Sequence, residues 1–385
     1  MKPETIIKAE AKNLGFSLAG ITSPDPPNHL DVFESWLAAG YYADMKYLSR
    51  PDMVTKRQQP KELMPDCKSI ICLAFPYPNA NSSLPNENQL TGRIASYAWL
   101  PDYHLTIPIL IDELIEQVEN KLGRKIGFQA FTDSAPILER DIAQRAGLGW
   151  IGKNSCLIHP DQGSFFLLAE VFTDIELEND QPFLSDRCGS CTRCLEACPT
   201  HCILADRTID SNRCISYLTI ENKGPIPLDL RKYTGNWFFG CDICQMVCPW
   251  NRLRVGKTIH HTLASSEREL IFPDPIEELA VSGQEFNIKS ANTPILRSKR
   301  KGYLRNVAIA LGNLKSVESV PTLANSLMVD NEPLIRGAAA WALGQIDGEK
   351  ARLALQDRLV QESDAVVCEE IHLALEQMND NTTLK

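Results

Sequence analysis

The sequence predicts an α+β protein in three parts: a mixed α/β domain over residues 1–180, a cysteine-rich insert over 181–254, and an α-helical repeat array over 301–385, reached through a connection at 255–300. Three observations predict it. Apolar runs bounded by turn formers alternate with helical periodicity through the first part. Two cysteine runs of related spacing dominate the second. An apolar signature recurs every 32 residues in the third. A chain of 385 residues with 44% hydrophobic content has room for about two or three cores of ordinary size.

The opening MKPETIIKAEAKNLGF has the pattern of an amphipathic helix stopped by Gly15, not of an export signal. KSIICLAFPY (68–77) predicts a buried strand, and SSLPNENQLTGR (82–93) a polar loop. LTIPILIDELIEQVENKLG (105–123) has helical periodicity ending at Gly123. Pro136 to Arg145 predicts a helix stopped by Gly147, with Asp133 just ahead as a candidate cap. SFFLLAEVFTDIEL (164–177) contains a second buried strand, and 255–300 is a connection with short helical pieces. IALGNL (309–314), WALGQI (341–346) and LALEQM (373–378) form the repeat. Small residues at fixed helical positions let paired helices stack closely, as in short HEAT-type repeats, which usually serve as interaction surfaces.

The cysteines carry the most specific signal. Cys188-x2-Cys191-x2-Cys194-x3-Cys198-Pro199 has the bacterial ferredoxin spacing, in which three thiolates hold one four-iron cluster and the fourth crosses to another. Cys241-x2-Cys244-x3-Cys248-Pro249 is a second, shorter run. Two [4Fe–4S] clusters follow. One takes Cys188, Cys191 and Cys194 with the remote Cys248. The other takes Cys198, Cys241 and Cys244 with one thiolate more. Cys214 and Cys202 compete for that last place. Cys202 lies only four residues past Cys198, so spacing favours Cys214. Paired C-x2-C units also bind zinc, but four thiolates within eleven residues exceed what a tetrahedral site needs. An odd thirteen cysteines in a long chain argue against a disulfide framework. A two-cluster module moves single electrons, so the rest of the chain is expected to use them.

The net charge of −10 argues against indiscriminate nucleic-acid binding. From Lys289 to Arg305, however, KSANTPILRSKRKGYLR holds six basic residues and no acidic one. Such a strip contacts phosphates or is a solvated loop; its place at the entrance to the repeats favours an extended polyanion. No apolar run approaches membrane-spanning length, so no membrane partner is expected. The expected location is the reducing cytoplasm, which suits iron–sulfur thiolates. Gly147, Gly149 and Gly152 in GLGWIGKN (147–154) match G-x-G-x-x-G. The match follows a helix rather than a strand and lacks the later acidic residue, so a dinucleotide fold is not expected. A glycine-rich turn approaching some other cofactor remains open.

Asp102-Tyr103-His104, TDSAPILERDIAQRAGLGWIGKN (132–154), CGSCTRCLEACPT (188–200), RCISYLTIE (213–221) and GNWFFGCDICQMVCPWN (235–251) together resemble the epoxyqueuosine reductase family, over nearly the whole chain. That family is similar in its catalytic core to cobalamin-dependent reductive dehalogenases. The resemblance implies a cobalamin-binding catalytic domain, then a ferredoxin-like two-cluster [4Fe–4S] domain, then HEAT-like repeats. It implies base-off cobalamin, and this chain has no D-x-H-x-x-G pattern to supply a lower histidine ligand. It implies the last step of queuosine synthesis, on the wobble base of tRNAs with GUN anticodons (the Tyr, His, Asn and Asp isoacceptors), bound at the anticodon stem-loop. An external electron donor such as flavodoxin or ferredoxin is expected, and a monomeric enzyme.

By position, Asp133 matches the family's proton donor, and Tyr103 and His104 match its substrate-side motif; packing and a turn hydrogen bond compete for the latter two. Arg57, Asp133, Lys153, Ser216 and Asp242 match cobalamin contacts. Arg57 and Lys153 read otherwise as exposed cations, and Asp242 as a surface acid. The family usually has a small residue where Cys202 stands, which supports Cys214 as the ligand. Arg297, Lys299, Arg300 and Lys301 are expected to contact tRNA. A cobalamin-dependent reductase of a small molecule would need neither the basic strip nor the repeats. An electron-transfer adaptor would leave residues 1–180 without a purpose.

Overall fold

The computed structural model describes residues 2–82, 90–252 and 271–383. Most of the expected 82–93 loop and the 253–270 part of the connection lie outside them. The described strands are β1 (Leu18–Thr22), β2 (Ser69–Pro76), β3 (Arg93–Ile94), β4 (Phe128–Phe131), β5 (Trp150–Ile151), β6 (Leu157–Ile158), β7 (Phe166–Thr173) and β8 (Trp237–Phe239). The chain forms two compact units. One gathers Met1–Ser83, Leu100–Asn212 and Asp242–Ala264; the other gathers Leu84–Trp99, Arg213–Cys241 and Ser265–Lys385.

The first unit is built on an antiparallel sheet of order β1-β2-β7-β4. Its central strands are buried on both faces, which is why β2 reads as a continuous apolar run instead of an alternating one. Ile70, Cys72 and Ala74 of β2 and Phe172 of β7 pack against Ile137, Ile142, Ala143, Ala146 and Leu148. Ile71 and Leu73 point the other way by strand alternation and are just as buried. The Pro3–Asn13 helix lies along β1 and the Tyr103–Leu122 helix, and Phe16 beyond it meets Phe75 edge-on. Asp102 caps the Tyr103–Leu122 helix by accepting from the His104 N–H at 3.0 Å, and Gly123 ends it in a left-handed conformation. The helix expected from Pro136 begins only at Glu139, with Leu138 ahead of it and no side-chain cap. Asp133 therefore does not cap it. Five residues lie between the two, and the Asp133 carboxylate is engaged elsewhere.

In the second unit β3 and β8 pair in parallel. The 32-residue signatures lie in the helices Lys299–Leu314, Pro333–Ile346 and Ala365–Thr383, which stack on one another, with Val320–Val329 and Glu349–Leu359 between them. A Cβ at Gly312 would stand 2.9 Å from the Ala342 Cα, and one at Gly344 would stand 2.9 Å from the Ala374 Cα. Each signature glycine is thus the point of closest approach to the next inner helix. Leu311 and Leu343, beside those glycines, are fully buried, each contributing about 1.5–3 kcal/mol. Arg305 is also buried. Its guanidinium donates to the carbonyls of Leu218, Asn222 and Gly224, tying the first repeat helix to the Ile215–Ile220 helix and the segment after it.

Candidate active site and cluster cavity

Asp133 follows β4 with φ of 50°, in the left-handed region that an aspartate enters at a cost. Two contacts hold it there. Its own N–H donates to Glu139 Oε1 at 2.7 Å, and its Oδ2 accepts from the Tyr103 hydroxyl at 2.9 Å. His104 Nε2 stands 3.9 Å from the same Oδ2, while its Nδ1 lies 2.8 Å from Asp102 Oδ1. The Tyr103 and His104 rings stack at 4.1 Å. The structure thus brings the D-Y-H motif and Asp133 together. The Asp133 side chain is 70% exposed, so its carboxylate is held by protein on one side and open on the other.

Behind it stand two carboxyls that the sequence reading did not single out. Burial, and then the charge of Asp133, raises Glu139 to about 7, against the pull of Arg140 and Arg57. Glu170, the one charged residue of β7, lies opposite Cys72 on β2 and Phe131 on β4. It is fully buried and neither oxygen has a hydrogen-bond partner. Burial drives it well above the ordinary carboxyl range, with Glu139 and Asp133 adding to the shift. The signal was available, since a lone acid inside an apolar strand is rarely there without a use. Arg57, expected as a cobalamin contact and otherwise as an exposed cation, is buried. Its guanidinium donates to the Met53 carbonyl, lies 5.4 Å from the Phe33 ring centre, and feels the charge of Glu139.

Cys188, Cys191, Cys194 and Cys248 line one cavity of about 250 Å³, with Lys153, Arg187, Arg193 and Trp250 at its wall. Burial raises Cys194, and raises Cys248 to about 11. The glycine-rich turn serves this cavity. Gly149, at φ of 155°, passes so close to the Ile158 carbonyl that a Cβ would clash at 2.2 Å. The resulting β5–β6 hairpin presents Trp150, whose indole N–H donates to Cys188 Sγ at 3.4 Å. Phe183 and Trp250 pack against that indole. Lys153 donates to the carbonyls of Gly189 and Cys191 at 2.7 and 3.0 Å, so it braces the first cysteine loop.

Cys202 Sγ is 3.4 Å from Cys198 Sγ, and both are buried. The Cys202 hydrogen bond, with that of Thr200, holds Cys198 down at about 5. Cys214 precedes the Ile215–Ile220 helix, in which Ser216 is the second residue. Asp242 is buried and stands ahead of Ile243–Met246, so it is not a surface acid.

The basic strip is largely spoken for. Lys289 pairs with Glu278, Arg297 with Glu221 at 2.6 Å, and Arg300 with Asp330 through both terminal nitrogens, while Arg305 is buried. Lys299 is exposed at the start of the first repeat helix, with Lys301 two residues on.

Among the described residues no helix is long and apolar enough to cross a membrane. Three family models match the chain: a 4Fe-4S double cluster binding domain at 187–251, the epoxyqueuosine reductase QueG domain at 57–134, and HEAT repeats at 291–376. An epoxyqueuosine reductase of Xanthomonas campestris is 36% identical, covering 88% of this chain and 95% of its own. The crystal structure of an epoxyqueuosine reductase with an epoxyqueuosine-modified tRNA-Tyr stem loop superposes with a TM-score of 0.89 at 33% identity, covering 98% of each chain. A Bacillus subtilis epoxyqueuosine reductase, with its catalytic aspartate loop swung out of the active site, superposes at 0.88 with 33% identity, over 97% of this chain and 98% of that one. With its double-cluster domain and its HEAT-repeat helices, this chain belongs to the epoxyqueuosine reductase family of oxidoreductases.

Proposed function

We propose that this chain reduces epoxyqueuosine to queuosine at the wobble position of tRNAs with GUN anticodons, the last step of queuosine synthesis, in the cytoplasm and as a monomer. The observation that carries the reading is Asp133, strained, open to solvent on one side and gripped by Tyr103 and Glu139 on the other. Removing an epoxide oxygen as water takes two electrons and two protons, and an acid must protonate the oxygen as the C–O bond breaks. Asp133 is that acid. Tyr103 aims it through the bond to Oδ2, and His104 lies beside it on the substrate side.

Cys188, Cys191, Cys194 and Cys248 would hold one [4Fe–4S] cluster, and Cys198, Cys214, Cys241 and Cys244 the other; when bound, such clusters would supply one-electron transfer from an external donor such as flavodoxin or ferredoxin. Cobalamin is the remaining cofactor of this reading. The residues fit it in part. Buried Arg57 and open Asp133 flank Glu139, and His104 lies between Asp102 and Asp133. Lys153 is already committed to two carbonyls. Arg57, Asp133, Lys153, Ser216 and Asp242 are the residues that would hold the cofactor, base-off; when bound it supplies a strongly reducing cobalt centre. The division at 180, 254 and 300 into catalytic, cluster, connecting and repeat parts belongs to the same reading, as does tRNA contact by the strip from Arg297 to Lys301.

The test is Asp133→Asn in single-turnover assays on epoxyqueuosine tRNA, with chemically reduced protein so that electron delivery is bypassed. Asn still accepts from Tyr103 but carries no proton to give. Cofactor content and tRNA affinity are expected to hold while the rate falls by about 10²–10⁴-fold. Near-wild-type conversion by the variant would remove Asp133 from the chemistry.

A further inference from the structure

The reaction consumes two protons per turnover, and one carboxyl such as Asp133 can pass on only one at a time. Two other carboxyls sit behind it: Glu139, so far only a brace for the Asp133 backbone, and Glu170, which has no role yet. We propose that Glu139, backed by the sealed Glu170, is the proton store that recharges Asp133. This rests on the reading of Asp133 as the acid.

Glu170 lies mid-strand in β7, fully buried, with both oxygens unpartnered. An ionised carboxylate in that position has neither water nor a donor to solvate it, so the group stays neutral and keeps its proton. Its charged neighbours are Glu139 and Asp133, with Cys72 opposite on β2. None of these is a cation that would favour ionisation. Glu139 comes next. It begins the Glu139–Arg145 helix, is partly buried, and uses Oε1 to accept from the Asp133 N–H. Asp133, Arg140, Arg57 and the Glu170 behind it are the groups facing it. Two cations and a backbone donor fail to outweigh burial and the Asp133 charge, which leaves Glu139 exchanging its proton near neutrality. The three carboxyls thus run from a permanently loaded acid in the core, through one that loads and unloads at physiological pH, to the exposed acid at the surface.

The proton balance follows. Asp133 gives its proton to the epoxide oxygen as the C–O bond breaks, while two electrons arrive from the external one-electron donor. The Asp133 carboxylate takes the Glu139 proton. Asp133 then protonates the departing hydroxyl, which leaves as water. Glu139 refills from solvent, and Glu170 stays loaded so that no second negative charge builds up behind it. Glu139 is a positioning residue in this scheme, acting through Asp133.

Glu139→Gln tests it, because the amide oxygen still accepts from the Asp133 N–H but no proton is stored. Two readouts apply to the reduced, cofactor-loaded protein. In single turnover on epoxyqueuosine tRNA, the wild-type rate is expected to fall as pH rises through about 7, where Glu139 empties. Glu139→Gln is expected to lack that limb and to run at least ~10-fold slower at pH 6, less than the ~10²–10⁴-fold of a group that transfers the proton directly, because Glu139 acts through Asp133. In infrared spectra, a protonated-carboxyl band that bleaches near neutrality in the wild type should be missing from the variant. Glu170→Gln keeps the neutral shape and should delete a band that persists to higher pH. A Glu139→Gln protein with wild-type rate and an intact pH limb overturns the store and leaves Glu139 as a brace for the Asp133 loop. Should the wild type fail to turn over epoxyqueuosine tRNA at all, the proposed function falls on its own. The infrared bands then still decide whether Glu139 holds an exchangeable proton, and an unchanged band in Glu139→Gln overturns the store.

Discussion

Trp150 shows how much one side chain can be asked to do. Its ring fills the space between Phe183 and Trp250, and its N–H points at Cys188 Sγ. A hydrogen bond to a cluster thiolate stabilises the reduced, more negative state and raises the potential. Trp150→Phe keeps the aromatic packing and removes only the donor. On the proposed assignment of Cys188 as a cluster ligand, that cluster is therefore expected to become harder to reduce. A differential of roughly 1 kcal/mol corresponds to about 40 mV for one electron. A redox titration followed by electron paramagnetic resonance reads this directly; two unchanged midpoints would mean that the indole only packs. Residue-scale function was unevenly legible in the sequence. The cysteine spacing declares itself because ligand geometry constrains it locally. Trp150 and the Glu139–Glu170 pair do not, since their partners lie 38 residues away for Cys188 and across two strand pairings for Glu170. Glu170 left one trace, an acid in an apolar run. Glu139 left none, because an acid in the first turn of a helix is ordinary.

At the scale of elements, periodicity found what is repetitive or strongly apolar. The strand expected at 68–77 is β2; the helix expected at 105–123 is Tyr103–Leu122, which ends at Gly123 as expected but starts two residues earlier, where Asp102 caps it. The miss was the helix after Asp133. A Pro three residues past an Asp suggests a capped start, yet here the intervening segment turns to present the acid, and the helix begins one turn later. Local capping preference yielded to a functional geometry stabilised from outside the segment by Tyr103 and from beyond it by Glu139. The repeats are legible for a mechanical reason. Gly312 and Gly344 each touch the next inner helix, whereas the equivalent position 376, with no further described helix stacked on it, is Glu. Gly344→Ala would place a methyl 2.7 Å from the Ala374 Cβ and is expected to cost about 1–3 kcal/mol, despite the better helix propensity of Ala. Gly302→Ala, in the same array but with its nearest neighbour at 3.7 Å, is the control and should be neutral or stabilising. Equal melting temperatures for the two variants would show that the inner helices have slack.

On the proposed function, the question at the scale of the whole molecule is how a chain of net charge −10 would attract a polyanion. Long-range attraction is unavailable, so phosphates must be met by a local patch within a Debye length of about 8–10 Å. Counting charges in the sequence overstates that patch. Of the six basic residues from Lys289 to Arg305, three are matched by Glu278, Glu221 and Asp330, and Arg305 is buried against carbonyls. The carboxylates that neutralise them come from Glu221 and from residues 278 and 330, outside the strip, which is why composition alone missed them. Lys299 and Lys301 carry the remaining positive charge. A Lys299→Glu, Lys301→Glu double variant is therefore expected to weaken tRNA binding and to reduce the salt slope, by about 0.7–0.9 for each phosphate that is no longer neutralised. Iron content and melting temperature should not move. Arg300→Glu is expected to behave differently. It breaks the bidentate pair with Asp330 and the bond to the Val281 carbonyl, so its first effect is on the stability of the repeats. Affinity and salt slope measured across roughly 50–200 mM salt separate the two cases. If the lysine pair leaves both unchanged, the strip is scaffold throughout, and the phosphates of the tRNA must be met elsewhere on the protein.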